Sequence, residues 1–302
     1  RRVLRRSSFF FVVKVKKVMT VSLCVDLPVA IPNIIGYTSL RKEESCEIPY
    51  STTSQKYPAE YYTGQQRKES MWNSQIEENI LYEDKEILVC RKPSGMPVQA
   101  AGIGTMDLES ALKNYLAQKA PGKMPYLAVV HRLDQPVEGV LVFAKTPGAA
   151  GNLSKQMMAG GAGKYYLAVT EGVPKEQEGT LISYLKKNGR ANMSQAVPEN
   201  TPGAKKAILH YKVLDQKEIN GKKRTLLRIK LETGRHHQIR VQLSQAGIPL
   251  LGDRKYNPAG EKGTSLGLCS CSLEFRHPKT GKPMKFQTEP QGSAFLDFVK
   301  KL

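Results

Sequence analysis

The segment His131-Arg132-Leu133-Asp134-Gln135-Pro136 runs straight into Val137-Glu138-Gly139 and then into the apolar Val140-Leu141-Val142-Phe143-Ala144, closed by Lys145. That junction restricts the fold more than any other stretch of the chain. The apolar run is too short and too β-branched for a helix and reads as a buried strand. Pro136 fixes its own backbone and pushes Gln135 out of the helical region, so the chain turns just before the strand. Asp134 is therefore expected on a loop at the mouth of a buried strand, with Arg132 two positions earlier. Loops braced by a rigid sheet are where chemistry concentrates. An aspartate after such a turn also serves as a cap or an ion-pair partner, and the rest of the chain has to decide between these roles.

Charge narrows the class of partner. The 302 residues carry 46 Lys+Arg against 27 Asp+Glu, a formal net charge of +19. Such an excess calls for a polyanion, nucleic acid or an anionic membrane. The basic residues are scattered through strands and loops, which favours a folded binding surface over a basic tail. Residues 1–70 hold 12 of the basic and 6 of the acidic residues, so residues 71–302 keep +13. Within 1–70, the apolar run Phe9 to Val13 is broken by Lys14, Lys16 and Lys17, and a second run is interrupted by Asp26. Neither is long enough to cross a bilayer, and no clean cleavage site follows. Residues 1–70 are expected to be disordered or outside the functional fold, with Met71 the working start. Five cysteines (Cys24, Cys46, Cys90, Cys269, Cys271) form no CxxC pair. That argues against a disulfide framework or a structural zinc, and for a reducing cytosol. Cys269, Cys271, Leu273 and Phe275 alternate along one face of an expected strand and read as packing.

From Met71 onward the signals are regular. Strands are expected at Ile87 to Cys90, Lys164 to Val169, Ile208 to Leu214, Thr225 to Glu232 and Leu266 to Phe275. Asp107 can cap a helix whose apolar positions Leu108, Leu112, Tyr115 and Leu116 share one face. A second helix is expected from Ala149 to Met158, stopped by Gly160-Gly161, and a third, short one from Arg235 to near Gly247. Strands and helices do not alternate strictly, which points to α+β with a largely antiparallel sheet.

Six groups of residues stand in order along this frame: Leu81-Tyr82-Glu83-Asp84 with Lys92-Pro93-Ser94-Gly95; His131-Arg132-Leu133-Asp134; Lys164-x-Tyr166-x-Ala168; Thr233-Gly234-Arg235 with His237-Gln238-Ile239-Arg240; Leu250-Leu251-Gly252-Asp253; and Leu273-Glu274-Phe275-x-His277-Pro278. In this order and spacing they resemble the RluA-type pseudouridine synthases over residues 76–302. The resemblance implies a pseudouridine-synthase fold, a mixed, mostly antiparallel sheet with an active-site cleft across it. Residues 71–302 would be the catalytic domain, and no S4-like module is visible in front of it. The implied reaction isomerises uridine in RNA, with no cofactor and no metal. Asp134 is the implied essential carboxylate, either forming a covalent intermediate or stabilising the sugar as the base departs. A carboxylate must stay ionised to do this, and a buried one needs a cation beside it. Arg240 is the implied partner, with Arg235 second, because arginine cannot lose its charge.

Tyr166 matches the tyrosine that packs on the uracil and helps remove the proton from carbon 5, while Tyr165 should face the other way. Arg132 sits where the family places a side chain that fills the gap left by the extruded base, though an ion pair with Asp134 is the alternative. His131 is expected to brace the loop; Lys164 and Gln238 complete the RNA-binding set. His236 and His237 are declined as a metal pair on the ground that neighbours on a helix point apart. Lys186, Lys187, Arg190, Lys205, Lys206, Lys222, Lys223, Arg224 and Arg254 are candidates for phosphate contacts. One departure is Val137-Glu138, where the family commonly has Thr-Ser. The expected partner is RNA, ribosomal before transfer RNA, bound by a cytoplasmic monomer with no obligatory protein partner and no membrane. Two other classes stay open: a non-catalytic RNA-binding protein on the same scaffold, and a glycosidic-bond hydrolase with Glu138 as its second carboxylate.

Overall fold

A computed structural model describes residues 76–100, 106–258, 260, 261 and 263–301. The expectations for residues 1–70 and for Met71, and the cysteines Cys24 and Cys46, lie outside the described residues. The described chain opens with the antiparallel pair β1 (Ile80–Glu83) and β2 (Ile87–Lys92). The Asp84 carboxylate accepts the backbone N–H groups of Glu86 and Ile87, both at 2.8 Å, and makes the turn between them. Helix α1 (Leu108–Lys119) begins where Asp107 accepts the Ser110 N–H at 2.7 Å, and its predicted apolar face is buried.

The short β3 (Ala128–Val129) leads through the Asp134 loop into β4 (Glu138–Ala144), every residue of which is buried. Thr146 then caps α2 (Pro147–Met158), with proline in the first turn, where its missing N–H costs nothing. Strand β5 (Gly163–Glu171) follows, then four that fold back and forth: β6 (Glu178–Asn188), β7 (Met193–Val197), β8 (Lys205–Ile219) and β9 (Lys222–Leu231). Helix α3 (Gln238–Gln245), β10 (Leu268–Arg276), β11 (Pro283–Gln287) and a 3₁₀ stretch, Ser293–Lys301, complete the fold.

All eleven strands join one sheet in the order β1-β2-β4-β10-β5-β9-β8-β6-β7, with β3 also on β4 and β11 also on β10. Every pairing is antiparallel except β4 with β10. The α+β expectation therefore holds. β4 lies inside the sheet and is covered on both faces. Leu141 and Phe143 meet the core under α1 and α3, while Val140, Val142 and Ala144 meet the core under α2. A strand covered on both faces needs a continuous apolar run rather than an alternating one, and 140–144 supplies it. In β9, by contrast, burial alternates: Leu227, Ile229 and Leu231 are buried and Arg228 and Lys230 exposed.

Two expectations differ in detail. The third helix starts at Gln238 rather than Arg235, because His237 takes a left-handed backbone (φ 56°) that a helix cannot contain. Strands β6, β7 and β11 carry too few buried apolar residues to have shown the pattern; β6 alternates mainly between exposed and half-buried positions.

Gly139 is required at the β4–β10 contact. Its φ is +124°, and a Cβ there would stand 2.3 Å from the carbonyl oxygen of Ser270. Gly139→Ala is expected to lower the unfolding free energy by about 2–4 kcal/mol, from backbone strain and overpacking together. Denaturant titration of the two proteins reads this directly, and an unchanged midpoint would show that the strands separate without cost.

Candidate active site

The Asp134 loop is clamped from the opposite side by the turn that ends β2. Lys92 is fully buried, and its ammonium donates to the carbonyls of Pro93, Met96 and Gln135 at 2.7–2.9 Å. Burial pushes the Lys92 pKa down to about 7, against the pull of Asp134 and Glu138. The Gly95 N–H donates to the Gln135 carbonyl at 2.9 Å, and the Ser94 hydroxyl donates to that of Pro136 at 2.9 Å. From within, Val137 N–H donates to the Asp134 carbonyl and closes the turn that Pro136 predicted. His131 accepts the N–H of Val142 through Nε2 at 3.2 Å, so it braces the loop against β4.

This loop forms one wall of a cleft of about 530 Å³. The cleft gathers His131, Arg132, Asp134, Lys164, Tyr166, Arg235, Gln238 and Arg240, the whole predicted set. Arg240, on α3, lies with its guanidinium Nη1 3.3 Å from Asp134 Oδ2. Its main partner is a residue that sequence reasoning did not assign. Asp253 takes Nε and Nη2 of Arg240 at 2.8 and 2.7 Å, and accepts the N–H groups of Lys255 and Tyr256 at 2.9 and 3.1 Å. Burial works against both charges, but the pair outweighs it: Arg240 is raised and Asp253 is held below the usual carboxylate range. The only signal in the sequence was the Leu250-Leu251-Gly252-Asp253 motif, which marks a position without giving it a partner.

Tyr166 is buried on β5 and faces the same core as Ala168, while Tyr165 faces the other side beneath the guanidinium of Arg228, 5.3 Å from its ring centre. Burial, followed by the charge of Asp134, raises the Tyr166 pKa, so the phenol is protonated at neutral pH. Lys164, two residues before, is buried, and burial with the nearby Arg235 lowers its pKa. Arg132 is exposed and makes no hydrogen bond or ion pair among the described residues, so the alternative of a pair with Asp134 is not formed. Arg235 is exposed and donates from Nε to the Lys206 carbonyl at 2.9 Å. Gln238 spends its amide inside the protein, accepting from Thr233 Oγ1 and Arg235 N–H and donating to the Ile208 carbonyl, which shapes the 233–235 turn.

Three expectations are corrected by the geometry. His236 and His237 do not point apart: they precede the helix, and their rings stack with centroids 3.8 Å apart. Among the described residues no third metal-ligating side chain joins them. His237 Nε2 instead stands 3.6 Å from Asp134 Oδ2. Arg224 is no phosphate contact, since it is buried between Asp297 and Glu261 at 2.7 and 2.6 Å. Glu138 does not face the cleft, and its carboxylate accepts the N–H groups of Gln291 and Gly292 at 3.1 and 2.9 Å.

Comparison with known proteins gives the family. The sequence profile described as RNA pseudouridylate synthase matches residues 86–245. The ribosomal large subunit pseudouridine synthase D of Pseudomonas aeruginosa is 35% identical over 241 residues, 74% of this chain and 72% of that protein. The chain belongs to the RluA-type RNA pseudouridine synthases. An RNA pseudouridine synthase of Zymomonas mobilis is 32% identical over 224 residues, covering 74% of this chain and 97% of its own length. Among solved structures, human RNA pseudouridylate synthase domain containing 4 aligns with a TM-score of 0.60 at 21% identity, over 74% of this chain and 94% of that one. The human protein supports the pseudouridine-synthase fold. Membership makes this protein an isomerase of uridine in RNA. No helix among the described residues is long and apolar enough to cross a membrane.

Two measurements test the site's electrostatics. Asp253→Ala leaves the Arg240 charge buried with only a peripheral partner and is expected to cost about 3–5 kcal/mol in denaturant titration. A loss below about 1 kcal/mol would mean that water replaces Asp253 freely. The second concerns acid. Burial holds His131 at about 3 and His237 at about 4, whereas both ordinarily titrate at 6.5. Below pH 6.5 the unfolded chain therefore binds protons that the folded one refuses, and stability falls as the pH drops from 6.5 towards 4. His131→Gln is expected to remove part of that slope, and an unaltered slope would show that His131 titrates freely in the fold.

Proposed function

We propose that Asp134 is the reacting carboxylate of this pseudouridine synthase and that its substrate is large-subunit ribosomal RNA. The observation that carries the first part is the convergence in one cleft of Asp134, the Arg240 guanidinium at 3.3 Å, and the buried Tyr166. Asp253 fixes Arg240, Arg240 sets its guanidinium against Asp134, and a carboxylate so placed can attack or stabilise the ribose carbon when the N1–C1′ bond breaks. The uracil then turns within the cleft against the Tyr166 ring. A bond forms from C5 to C1′, the C5 proton leaves, and N1 takes up a proton, so uridine and pseudouridine balance without any co-reactant.

Extruding a base from folded RNA costs a few kcal/mol. Arg132, exposed and unpaired at the cleft's rim, is free to stack in the space the base leaves. Lys164 and Arg235 bring positive charge to the backbone of the bound strand. The ribosomal assignment is supported by the relatives from Pseudomonas aeruginosa, Zymomonas mobilis and Vibrio cholerae, each named a ribosomal large subunit pseudouridine synthase D. The protein acts as a cytoplasmic monomer in this reading. A hydrolase is disfavoured because Glu138, the carboxylate it would need, is tied to the backbone of residues 291 and 292.

RNA carrying tritium at carbon 5 of uridine separates the readings. Pseudouridine formation must expel that tritium. Release from ribosomal RNA by the wild type but not by Asp134→Asn is the expected result. Release by Asp134→Asn at the wild-type rate would remove Asp134 from the chemistry, and release only from transfer RNA would reassign the substrate.

A further inference from the structure

His237 has no role in the account above, yet it is the other group that meets the Asp134 carboxylate. Its Nε2 stands 3.6 Å from Oδ2, the oxygen that also receives Arg240 Nη1. No described hydrogen bond or ion pair uses Oδ1 of Asp134. The other ring nitrogen, Nδ1, lies 2.7 Å from the Tyr256 hydroxyl, and that hydroxyl accepts the Ser194 N–H at 2.8 Å. The hydroxyl's own proton has no other acceptor among the described hydrogen bonds, so it goes to Nδ1, and the imidazole proton is left on Nε2, facing Asp134.

The surroundings keep the ring in that state. Burial pushes the His237 pKa down to about 4 against the pull of Asp134, and the charges of Arg240, His236 and Lys255 add to the depression. His236 stacks on the ring, itself held by Ser194 Oγ at 2.9 Å and Asn192 Oδ1 at 3.2 Å. His237 thus presents a single N–H without adding a second cation that would compete with Arg240.

We propose that His237 is a positioning residue of the isomerase: as the Nε2–H tautomer set by Tyr256, it holds Oδ2 of Asp134 together with Arg240 and leaves Oδ1 as the oxygen presented to the ribose. This rests on Asp134 being the reacting carboxylate. At 3.6 Å the imidazole N–H stands just beyond hydrogen-bond length, beside the 3.3 Å bond from Arg240 Nη1, and closing that gap on the bound ribose would fix Oδ2 by two donors and leave Oδ1 one position. Misplacing a reacting atom by about 1 Å can cost 100-fold in rate. Contacts of this kind commonly tighten only once substrate fills the site.

The test exploits the two nitrogens. In His237→Gln the side-chain amide reaches the place of Nε2; in His237→Asn it reaches only the place of Nδ1, where it still meets Tyr256. Tritium release from ribosomal RNA by the full chain is measured for both over a range of RNA concentrations, with Asp134→Asn alongside and thermal melting of each variant. His237→Gln is expected to stay within about 3-fold of the wild-type kcat, because an N–H still faces Oδ2. His237→Asn is expected to lose kcat on the order of 10-fold or more at unchanged KM for RNA.

A purely structural role predicts the opposite order, since asparagine tolerates the left-handed backbone better than glutamine does and keeps the Tyr256 bond. Asparagine equal to or better than glutamine in kcat, or a loss in His237→Asn carried by KM rather than kcat, would overturn the proposal. Activity in Asp134→Asn would instead defeat the reading on which it rests, and the two failures are told apart in one experiment.

Discussion

The structure depends on one buried cation set between two carboxylates. Arg240 reaches Asp134, which is about a quarter exposed, at 3.3 Å, and a buried guanidinium cannot rest on that single contact, so the fold has to keep Arg240 itself paired. Asp253 does this with both oxygens, and the backbone N–H groups of Lys255 and Tyr256 satisfy what remains of it. The order of strengths matters. Arg240 gives its two short, well-aligned bonds to Asp253 and one longer contact to Asp134, so the structural carboxylate is saturated and the other is not. An aspartate held as tightly as Asp253 would have little left to offer a substrate.

The sheet carries this arrangement from below. β4 and β5 sit near its middle, separated only by β10, which places the mouth of one strand close to the side chain of Tyr166 on the other. The clamp from Lys92, Ser94 and Gly95 holds the turn just after Asp134 by its backbone carbonyls, and the Gln135 side chain returns a bond to the Gly95 carbonyl at 3.0 Å, so the loop is tied from both sides. The departure at Val137-Glu138 has its own logic. Val137 joins the apolar core, and Glu138 uses its carboxylate to fasten the backbone at residues 291 and 292. Hydroxyls expected near the loop are thus replaced by a tie to a distant part of the chain.

Much of this was legible in the amino-acid order, for identifiable reasons. The buried strand 138–144, the turn at Pro136, the cap at Asp107 and the opposite faces of Tyr165 and Tyr166 follow from local rules, because each depends on neighbours within a few residues. What was not legible depends on long-range partners or on one unusual dihedral. Asp253 acquires its meaning only when α3 brings Arg240 to it. His237 was misplaced because a helix was assumed to begin earlier, and the left-handed backbone at that residue turns two histidines into a stack. Strands β6, β7 and β11 are held by pairing rather than by a buried face, so their alternation is weak. Arg224 looked like surface charge because nothing nearby in sequence announces Asp297 and Glu261.

The parallel pairing of β4 with β10 also bears on how the molecule is made. β4 finds β2 and β3 within a short stretch of chain, but its other edge meets Cys269 and Ser270, some 130 residues later in synthesis. Until that stretch has left the ribosome, the most apolar strand of the sheet has an open edge, a template for pairing with the wrong partner. Contacts of such separation also slow folding, since a long loop must be ordered before they form. The same delay means that the mouth of β4, and Asp134 with it, acquires its final support only after residues 269 and 270 have emerged. A nascent chain shorter than that carries the Asp134 loop without the strand that completes its cleft.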